Sequence, residues 1–426
     1  MKRFLKYFIA TLFAIACWTV IAFFGTKLGC MHTPISSERT TEAFTKAVSN
    51  ELEKEFVGNF ALAIIEDGEV ISETFHTAGK PVSRNTVFQV ASLSKWVSAI
   101  GIMKLVERGN IDLDTPVSQY LTRWALPESE FNNDSVTVRR LLSHTAGLTD
   151  RLGYSGFAPG TPIQNLEESL TKAADADEGI KGAVMVGIEP GSEFKYSGGG
   201  YTLLQLIIEE VTNQSFATYM KEEVLNPLGM TASSYVWDDS SKLDLAEFYH
   251  ADGAEAVHYR YTALAATSLY TSLADLESLF NVFLKGANNE PIGRGVLNPE
   301  TLKAMRSPHA STMGMDIWGL GTILYTTTDN GDYIFGHDGK STPSINTAIR
   351  LNPETGNGII VLETGHPILA TKLASEWVFW KEGKVDLTLF TLMKDQMVST
   401  ILIGWLVIFV SAILIGFLRR KKSPNL

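Results

Sequence analysis

The run from Val398 to Leu418 carries no charged residue, is apolar on every face and is followed at once by Arg419-Arg420-Lys421-Lys422. A stretch of that length satisfies its backbone polar groups in lipid only as a helix, so it reads as a transmembrane span with its basic flank in the cytoplasm. At the other end, Phe8 to Phe24 follows Lys2, Arg3 and Lys6. This segment fits a signal peptide or a short membrane anchor. No good small-x-small cleavage site follows it, which favours an uncleaved anchor. Lipoprotein processing at Cys30, after Gly29, is a third reading, disfavoured by Lys27 where such a site wants an aliphatic residue. The expected organisation is an N-terminal anchor or signal segment over 1–37 and a folded domain over 38–384. A juxtamembrane segment over 385–397, the span 398–418 and a basic cytoplasmic tail over 419–426 follow. The domain is expected on the extracytoplasmic side of the cytoplasmic membrane.

Several function classes fall away on composition. Lys and Arg total 36 against 47 Asp and Glu, a formal net charge of −11. A nucleic-acid partner would call for a basic stripe, and none is present. Both cysteines, Cys17 and Cys30, lie in or beside the N-terminal apolar run, so the domain has neither a disulfide nor a thiol nucleophile. The histidines, His250 and His258 among them, have no metal-ligand spacing, and neither metal nor cofactor is assigned.

Within the domain, Phe88-Gln89-Val90-Ala91-Ser92-Leu93-Ser94-Lys95 places a Ser-x-x-Lys where a strand-like approach meets a helix. Trp96, Ala99, Met103 and Val106 recur at helical spacing and Gly109-Asn110 supplies a stop, so Ser92 is expected near a helix N-terminus. Residues three apart share a helix face, which brings the Lys95 amine to the Ser92 hydroxyl. A lysine held out of bulk water can lose its charge and take the serine proton, and the positive helix end favours the developing anion. Serine and lysine are common, so about two chance matches to the spacing are expected in a chain of this length. Ser169-Leu170-Thr171-Lys172 and Ser192-Glu193-Phe194-Lys195 also fit. The first sits among acidic residues and the second follows the turn Pro190-Gly191, whereas only Ser92 opens a helix with a buried apolar side.

Elsewhere Thr40 to Phe56 reads as a helix. Gly58–Ile65 and Val70–Phe75 read as strands joined at Asp67-Gly68. A mostly helical middle is expected to about Gly286, containing a long, weakly patterned stretch from Asp150 to Gly191. Strands are expected over Gly319–Thr326, Tyr333–His337, Ser344–Leu351 and Gly358–Glu363, then a closing helix over Pro367–Phe379. Strands at both ends around a helical insertion predict an α+β fold with one mostly antiparallel sheet, and a cleft between sheet and helical lobe as the pocket.

A serine hydrolase also needs a proton donor for the leaving group and N–H groups for the oxyanion. Tyr196-Ser197-Gly198-Gly199-Gly200 offers a phenol in a glycine-rich turn ahead of a helix. A tyrosine near a cationic lysine can work as a phenolate or relay a proton, though taken alone Tyr196 fits a packed loop aromatic better. His337-Asp338-Gly339 is expected to end a strand, with Gly339 allowing close backbone approach and His337 donating to a substrate carbonyl or carboxylate. Gly339-Lys340-Ser341 is not a phosphate loop, because Ile334 stands where its first glycine is required.

Taken in order, Ser92-Leu93-Ser94-Lys95, Tyr196-Ser197-Gly198 and His337-Asp338-Gly339 resemble the three motifs of the serine β-lactamase and penicillin-binding-protein superfamily. The likeness is closest to the branch with class C β-lactamases, D-alanyl carboxypeptidases, D-aminopeptidases and esterases. It extends over most of Thr40 to Trp380. The block Val138-Arg139-Arg140-Leu141-Leu142-Ser143-His144-Thr145-Ala146-Gly147-Leu148 looks like family sequence too, as do Asn226-Pro227-Leu228-Gly229-Met230 and Leu351-Asn352-Pro353-Glu354-Thr355-Gly356. The resemblance implies a β-lactamase-like fold and an acyl-enzyme mechanism. Ser92 would attack a carbonyl, Lys95 and Tyr196 would move its proton, and the N–H groups of Ser92 and Lys340 would hold the oxyanion. Three departures narrow the expectation. Gly198 stands where the family usually has an asparagine that binds the substrate amide. His337 replaces a class C lysine. Ser344 after Pro343, and Thr267-Ser268, replace usual glycines. The expected substrate is an ester or D-amino-acid amide, small or from the cell envelope. The alternatives are a β-lactamase or penicillin-binding carboxypeptidase, and a non-catalytic peptidoglycan-binding protein.

Overall fold

The structure, a computed structural model, describes residues 2–150, 154–176, 178–237 and 244–421. The end of the basic tail, 422–426, lies outside the described residues, as do 151–153 and 177 of the weakly patterned stretch. The chain divides into two compact units, Thr40–Ala374 and the two terminal segments Met1–Arg39 and Ser375–Leu426.

The larger unit is built on an eight-stranded antiparallel sheet. Its strands are β1 (Asn59–Glu66), β2 (Glu69–His76), β3 (Ala310–Thr312), β4 (Met315–Trp318), β5 (Ile323–Thr327), β6 (Tyr333–Ser341), β7 (Ile345–Asn352) and β8 (Asn357–Thr364), in spatial order β2-β1-β8-β7-β6-β5-β4-β3. The β1–β2 hairpin turns at Asp67 and Gly68, with φ of 51° and 82°. This left-handed pair matches the right-handed twist of the strands it joins. Strand β1 returns to pair with β8, from Asn59 opposite Thr364 to Ile65 opposite Gly358, so the two ends of the domain close one sheet.

Both faces are covered, which is why the inner strands read as near-continuous apolar runs. Ala61, Ala63, Ile65, Ile349, Leu351, Ile360 and Leu362 join one core with residues of the helix α1 (Ser94–Glu107). That helix is buried almost throughout, from Ser94 to Leu105. A fully buried aliphatic side chain contributes about 1.5–3 kcal/mol, so this core dominates the stability of the unit. The helical lobe between β2 and β3 contains α2 (Gly198–Thr212), shorter helices, and the two-stranded ribbon of Val87–Gln89 with Tyr270–Ser272. Ser197 caps α2, accepting from Gly200 N–H, and Asn213 ends it in the left-handed region at φ 55°. Such an N-cap is worth about 1 kcal/mol.

Three expectations change. The α-helix begins at Ser94, not Ser92, which lies in a 3₁₀ turn, Ala91–Leu93. His337-Asp338-Gly339 does not end its strand, because β6 runs on to Ser341, paired with Ile345. Strand β5 starts at Ile323, since Gly319 to Thr322 forms a turn closed by a Gly319 N–H to Thr322 O bond of 2.9 Å. Strands β3 and β4 are too short to show a period of two.

In the terminal unit, helices Lys2–Lys27 and Lys394–Lys421 lie side by side and antiparallel. Trp18 Nε1 donates to Thr400 O at 3.1 Å, Trp405 Nε1 donates to Thr19 Oγ1 at 2.9 Å, and the Trp18 ring lies against Gly404.

Candidate active site

Ser92 is placed by a strained step. Ala91 has φ 47°, a left-handed value that is costly for a residue with a Cβ. Ser94 Oγ donates to Ala91 O at 2.6 Å, and Leu269 N–H donates to Ser94 Oγ at 2.9 Å, so the turn is tied to the lobe behind it. From the sheet side, Thr347 Oγ1 donates to Val90 O at 3.0 Å. Gly339 must be glycine: a Cβ there would lie 2.1 Å from Val90 O and 2.3 Å from Thr347 Oγ1. The third motif thus lets β6 press against the turn that carries the serine.

Three side chains converge at this point. Lys95 Nζ lies 3.2 Å from Ser92 Oγ and donates to Ala266 O at 2.8 Å, with the lysine 1% exposed. Tyr196 OH donates to Ser92 Oγ at 3.0 Å. Lys95 Nζ also stands 5.1 Å from the centre of the Tyr196 ring. Serine, lysine and phenol, predicted from separate motifs, therefore form one contact triangle. Ser169 and Lys172 form no such pair: Ser169 is buried in the short helix Leu166–Lys172 and Lys172 is exposed. Ser192 lies in a turn, its hydroxyl donating to Glu189 O at 2.6 Å.

Two residues that sequence reasoning did not single out hold the phenol in place. His144 Nδ1 accepts the Ser197 N–H at 3.1 Å, and Lys195 N–H donates to His144 O at 2.7 Å. Its ring lies 4.3 Å from that of Tyr196. Asp150 accepts from Ser197 Oγ at 2.5 Å and from Gly199 N–H at 3.0 Å. The loop before Tyr196 and the first turn of α2 are thus clamped by the segment His144–Asp150. The family-like block around Ser143-His144-Thr145 was the available signal, but nothing in it names its target. Burial first, then the charge of Lys95, holds the His144 imidazole well below its usual pKa.

His337 behaves differently from expectation. Its Nδ1 lies 2.6 Å from Asp338 O, a carbonyl that can only accept, so Nδ1 carries the proton. Burial, then the Lys95 charge, lowers its pKa to about 3, so the ring is neutral and Nε2 is a bare acceptor. His337 cannot donate to a substrate carbonyl or carboxylate, which corrects that expectation. Asp338 is held by Arg350 at 2.5 Å, on a guanidinium 3.4 Å from the Tyr325 ring centre.

The cleft extends from Ser92 in two arms. One, about 450 Å³, is lined by polar side chains including Gln89, Tyr154, Ser155, Tyr261 and Ser341, and also by Thr267 and Gly198. The other, about 380 Å³, runs past Tyr196, Gly339 and Lys340 to Trp318, Ile323, Pro367 and Ile368. Lys340 is exposed and borders both arms.

This arrangement can be set beside known proteins. Residues 44–372 match the beta-lactamase family model. Protein flp of Staphylococcus aureus (strain N315) is 25% identical over 380 residues, covering 85% of this chain and 72% of that protein. The octameric penicillin-binding protein homologue from Pyrococcus abyssi superposes with a TM-score of 0.65 at 26% identity, over 80% of this chain and 77% of that one. The beta-lactamase/D-alanine carboxypeptidase from Pseudomonas syringae shares the fold at a TM-score of 0.60 and 18% identity, over 79% of this chain and 97% of its own. The chain belongs to the beta-lactamase family, within the superfamily of serine β-lactamases and penicillin-binding proteins, and is a β-lactamase-related serine hydrolase.

Proposed function

We propose that this protein is a membrane-anchored, extracytoplasmic hydrolase that cleaves an ester or amide through an acyl-enzyme on Ser92. The observation that carries the reading is the convergence of Lys95 Nζ and Tyr196 OH on Ser92 Oγ, at 3.2 and 3.0 Å. With Lys95 reacting as the neutral amine, Ser92 attacks the substrate carbonyl as its proton passes to Lys95 Nζ, and from there to Tyr196 as the phenol gives up its own. In this reading the oxyanion is held by the N–H groups of Ser92 and Lys340, two residues that line the same arm of the cleft. Tyr196 returns the proton to the leaving group, and water then releases the acyl group. The substrate in this reading is a D-amino-acid amide or peptide, or an ester of the cell envelope. Gly198 in the wall of the polar arm offers no side-chain amide to a β-lactam or peptide, which weighs against efficient β-lactamase activity.

Anchoring is supported by the two apolar helices, Leu5–Lys27 and Lys394–Leu418, each long enough to cross a bilayer and nearly bare of protein cover. The tryptophan contacts that join them argue for keeping the first helix, since a signal peptide is discarded. A reporter active only in the cytoplasm, fused at Leu426, should be active, and an inactive fusion counts against the orientation.

The test of the chemistry is intact mass of the detergent-solubilised full chain after exposure to a penicillin, beside Ser92→Ala, with turnover of simple esters measured in parallel. Ester turnover that vanishes in Ser92→Ala supports the reading. A lasting penicillin adduct on the wild type alone points to a penicillin-binding carboxypeptidase, and consumption of the drug to a β-lactamase. Retained turnover in a folded Ser92→Ala protein would overturn the mechanism, and binding without any acylation would leave a peptidoglycan-binding role.

A further inference from the structure

The second arm of the cleft has an unusual balance of donors. Its far wall is apolar, built from Trp318, Ile323, Pro367 and Ile368. Most polar groups beside that wall are already committed to each other, the Thr371 hydroxyl, which accepts from Asn346, keeping its own hydrogen. Asn346 Nδ2 donates to Gly339 O at 3.1 Å and to Thr371 Oγ1 at 2.8 Å, while Asn346 Oδ1 accepts the Thr371 N–H at 2.9 Å. Both amide hydrogens and the amide oxygen of Asn346 are therefore used. His337 donates through Nδ1 to the backbone and leaves only a lone pair at Nε2. Arg350 is engaged with Asp338 and is fully buried. Among the described lining residues, the one cation is Lys340, exposed at the rim, where an ammonium in water contributes little to binding an anion.

A substrate carboxylate seated against this far wall would lose its hydration and gain at most the Thr371 hydroxyl, with no charged partner, which is strongly unfavourable. An aliphatic or aryl group gains from the same wall. We propose that this arm is a subsite for an uncharged apolar part of the substrate and that it rejects a carboxylate. The inference rests on the hydrolase reading above and narrows it: the enzyme takes neutral esters or amides in this direction, not substrates that end in a free carboxylate there. The polar arm on the other side of Ser92 takes the hydrogen-bonding part.

The test uses the full chain in detergent with three matched esters: phenyl butyrate, phenyl hemisuccinate with a carboxylate ending the acyl chain, and 3-carboxyphenyl butyrate with the carboxylate on the leaving group. One of the two charged esters must place its charge in this arm, and its kcat/KM is expected to be at least about tenfold below that of phenyl butyrate. Ile368→Arg, and separately Ile323→Lys, should raise that ester at least about fivefold relative to phenyl butyrate by supplying the missing cation. Both charged esters turning over within about twofold of the neutral one would overturn the proposal, as would an unchanged ratio in both variants. Binding to Ser92→Ala separates this from failure of the hydrolase reading. If no ester is turned over, that reading falls, and calorimetry with 4-phenylbutanol against 4-phenylbutyrate decides the subsite. Preference for the alcohol, reversed by Ile368→Arg, supports it. Equal binding or preference for the acid overturns it.

Discussion

Ser92-x-x-Lys95 and Ser169-x-x-Lys172 have the same spacing and opposite surroundings. In the first, the lysine is 1% exposed, bonded to the serine and to Ala266 O, and faced by a phenol. In the second, the serine is turned into the core of a seven-residue helix and the lysine is in water. Ser92 lies in a 3₁₀ turn just ahead of its helix and Ser169 lies within one, so the spacing alone does not separate them. What differs is the material packed around each motif. Sheet strand β6, the Ala263–Ser268 turn and the Tyr196 loop close over Ser92, and none of them is near it in sequence. A nucleophile is therefore a property of the packing around a motif.

The largest effect expected from breaking this contrast is at the serines. Ser92→Ala should lower kcat for a turned-over ester by about 10⁴-fold or more, while Ser169→Ala leaves it within about twofold. Steady-state kinetics with a thermal melt on each variant checks both. Lys95→Met should cost roughly 10³-fold through loss of the proton acceptor, and Lys172→Met should cost nothing measurable. A deficit in Lys172→Met equal to that in Lys95→Met would remove the distinction.

Tyr196→Phe sharpens the comparison, because it keeps the ring and deletes only the hydroxyl that meets Ser92. A fall of about 10²–10³-fold in kcat with unchanged melting temperature is expected. At His144 the expected effect is smaller and has a built-in rescue. His144→Ala removes the acceptor for Ser197 N–H and the ring beneath the phenol, and a misplaced Tyr196 should cost about 10²-fold in kcat. His144→Asn restores an acceptor near the Nδ1 position and should recover part of that loss. Equal losses in the two variants would argue that the ring's packing, not its hydrogen bond, is what matters.

The smallest predicted effect is on stability. His337 has a pKa of 6.5 when exposed and about 3 when folded, so between those values the unfolded chain binds the additional proton. Its contribution is intact above about pH 6.5 and is lost as the pH falls toward 3, with a slope of at most about 1.4 kcal/mol per pH unit. His144 is shifted the same way by the same burial and adds to the slope. Denaturant unfolding between pH 7 and pH 4 should show this loss, and His337→Gln should flatten it. A pH-independent wild type would show that neither ring is buried neutral.

Much of the sheet was legible because its signals are local. Asp67-Gly68 specifies a hairpin by itself, and β7 and β8 carry apolar runs bounded by Pro353 to Asn357. The extension of β6 through Gly339 to Ser341 was not legible. A Gly-Lys-Ser sequence has weak strand preference, and pairing with β7 overrides it. The closing helix, expected over Pro367–Phe379, runs from Leu369 to Glu382. Its shift is of the kind expected where only backbone ends are at stake.

The sequence by itself determined which residues could do the chemistry: a serine and lysine on one helical face, a phenol in a glycine-rich turn, and a glycine where two backbones meet. It also determined the two apolar terminal segments, because length and lack of charge are properties of the chain alone. Only the tertiary structure decided that His144 and Asp150 clamp the Tyr196 turn, that His337 presents a lone pair and not a proton, and that the apolar end of one arm has, among the described residues, no cation except the exposed Lys340. Each of these depends on which group a side chain meets across the fold. Hydrogen-bond direction and burial are set by that partner, and no local pattern records it.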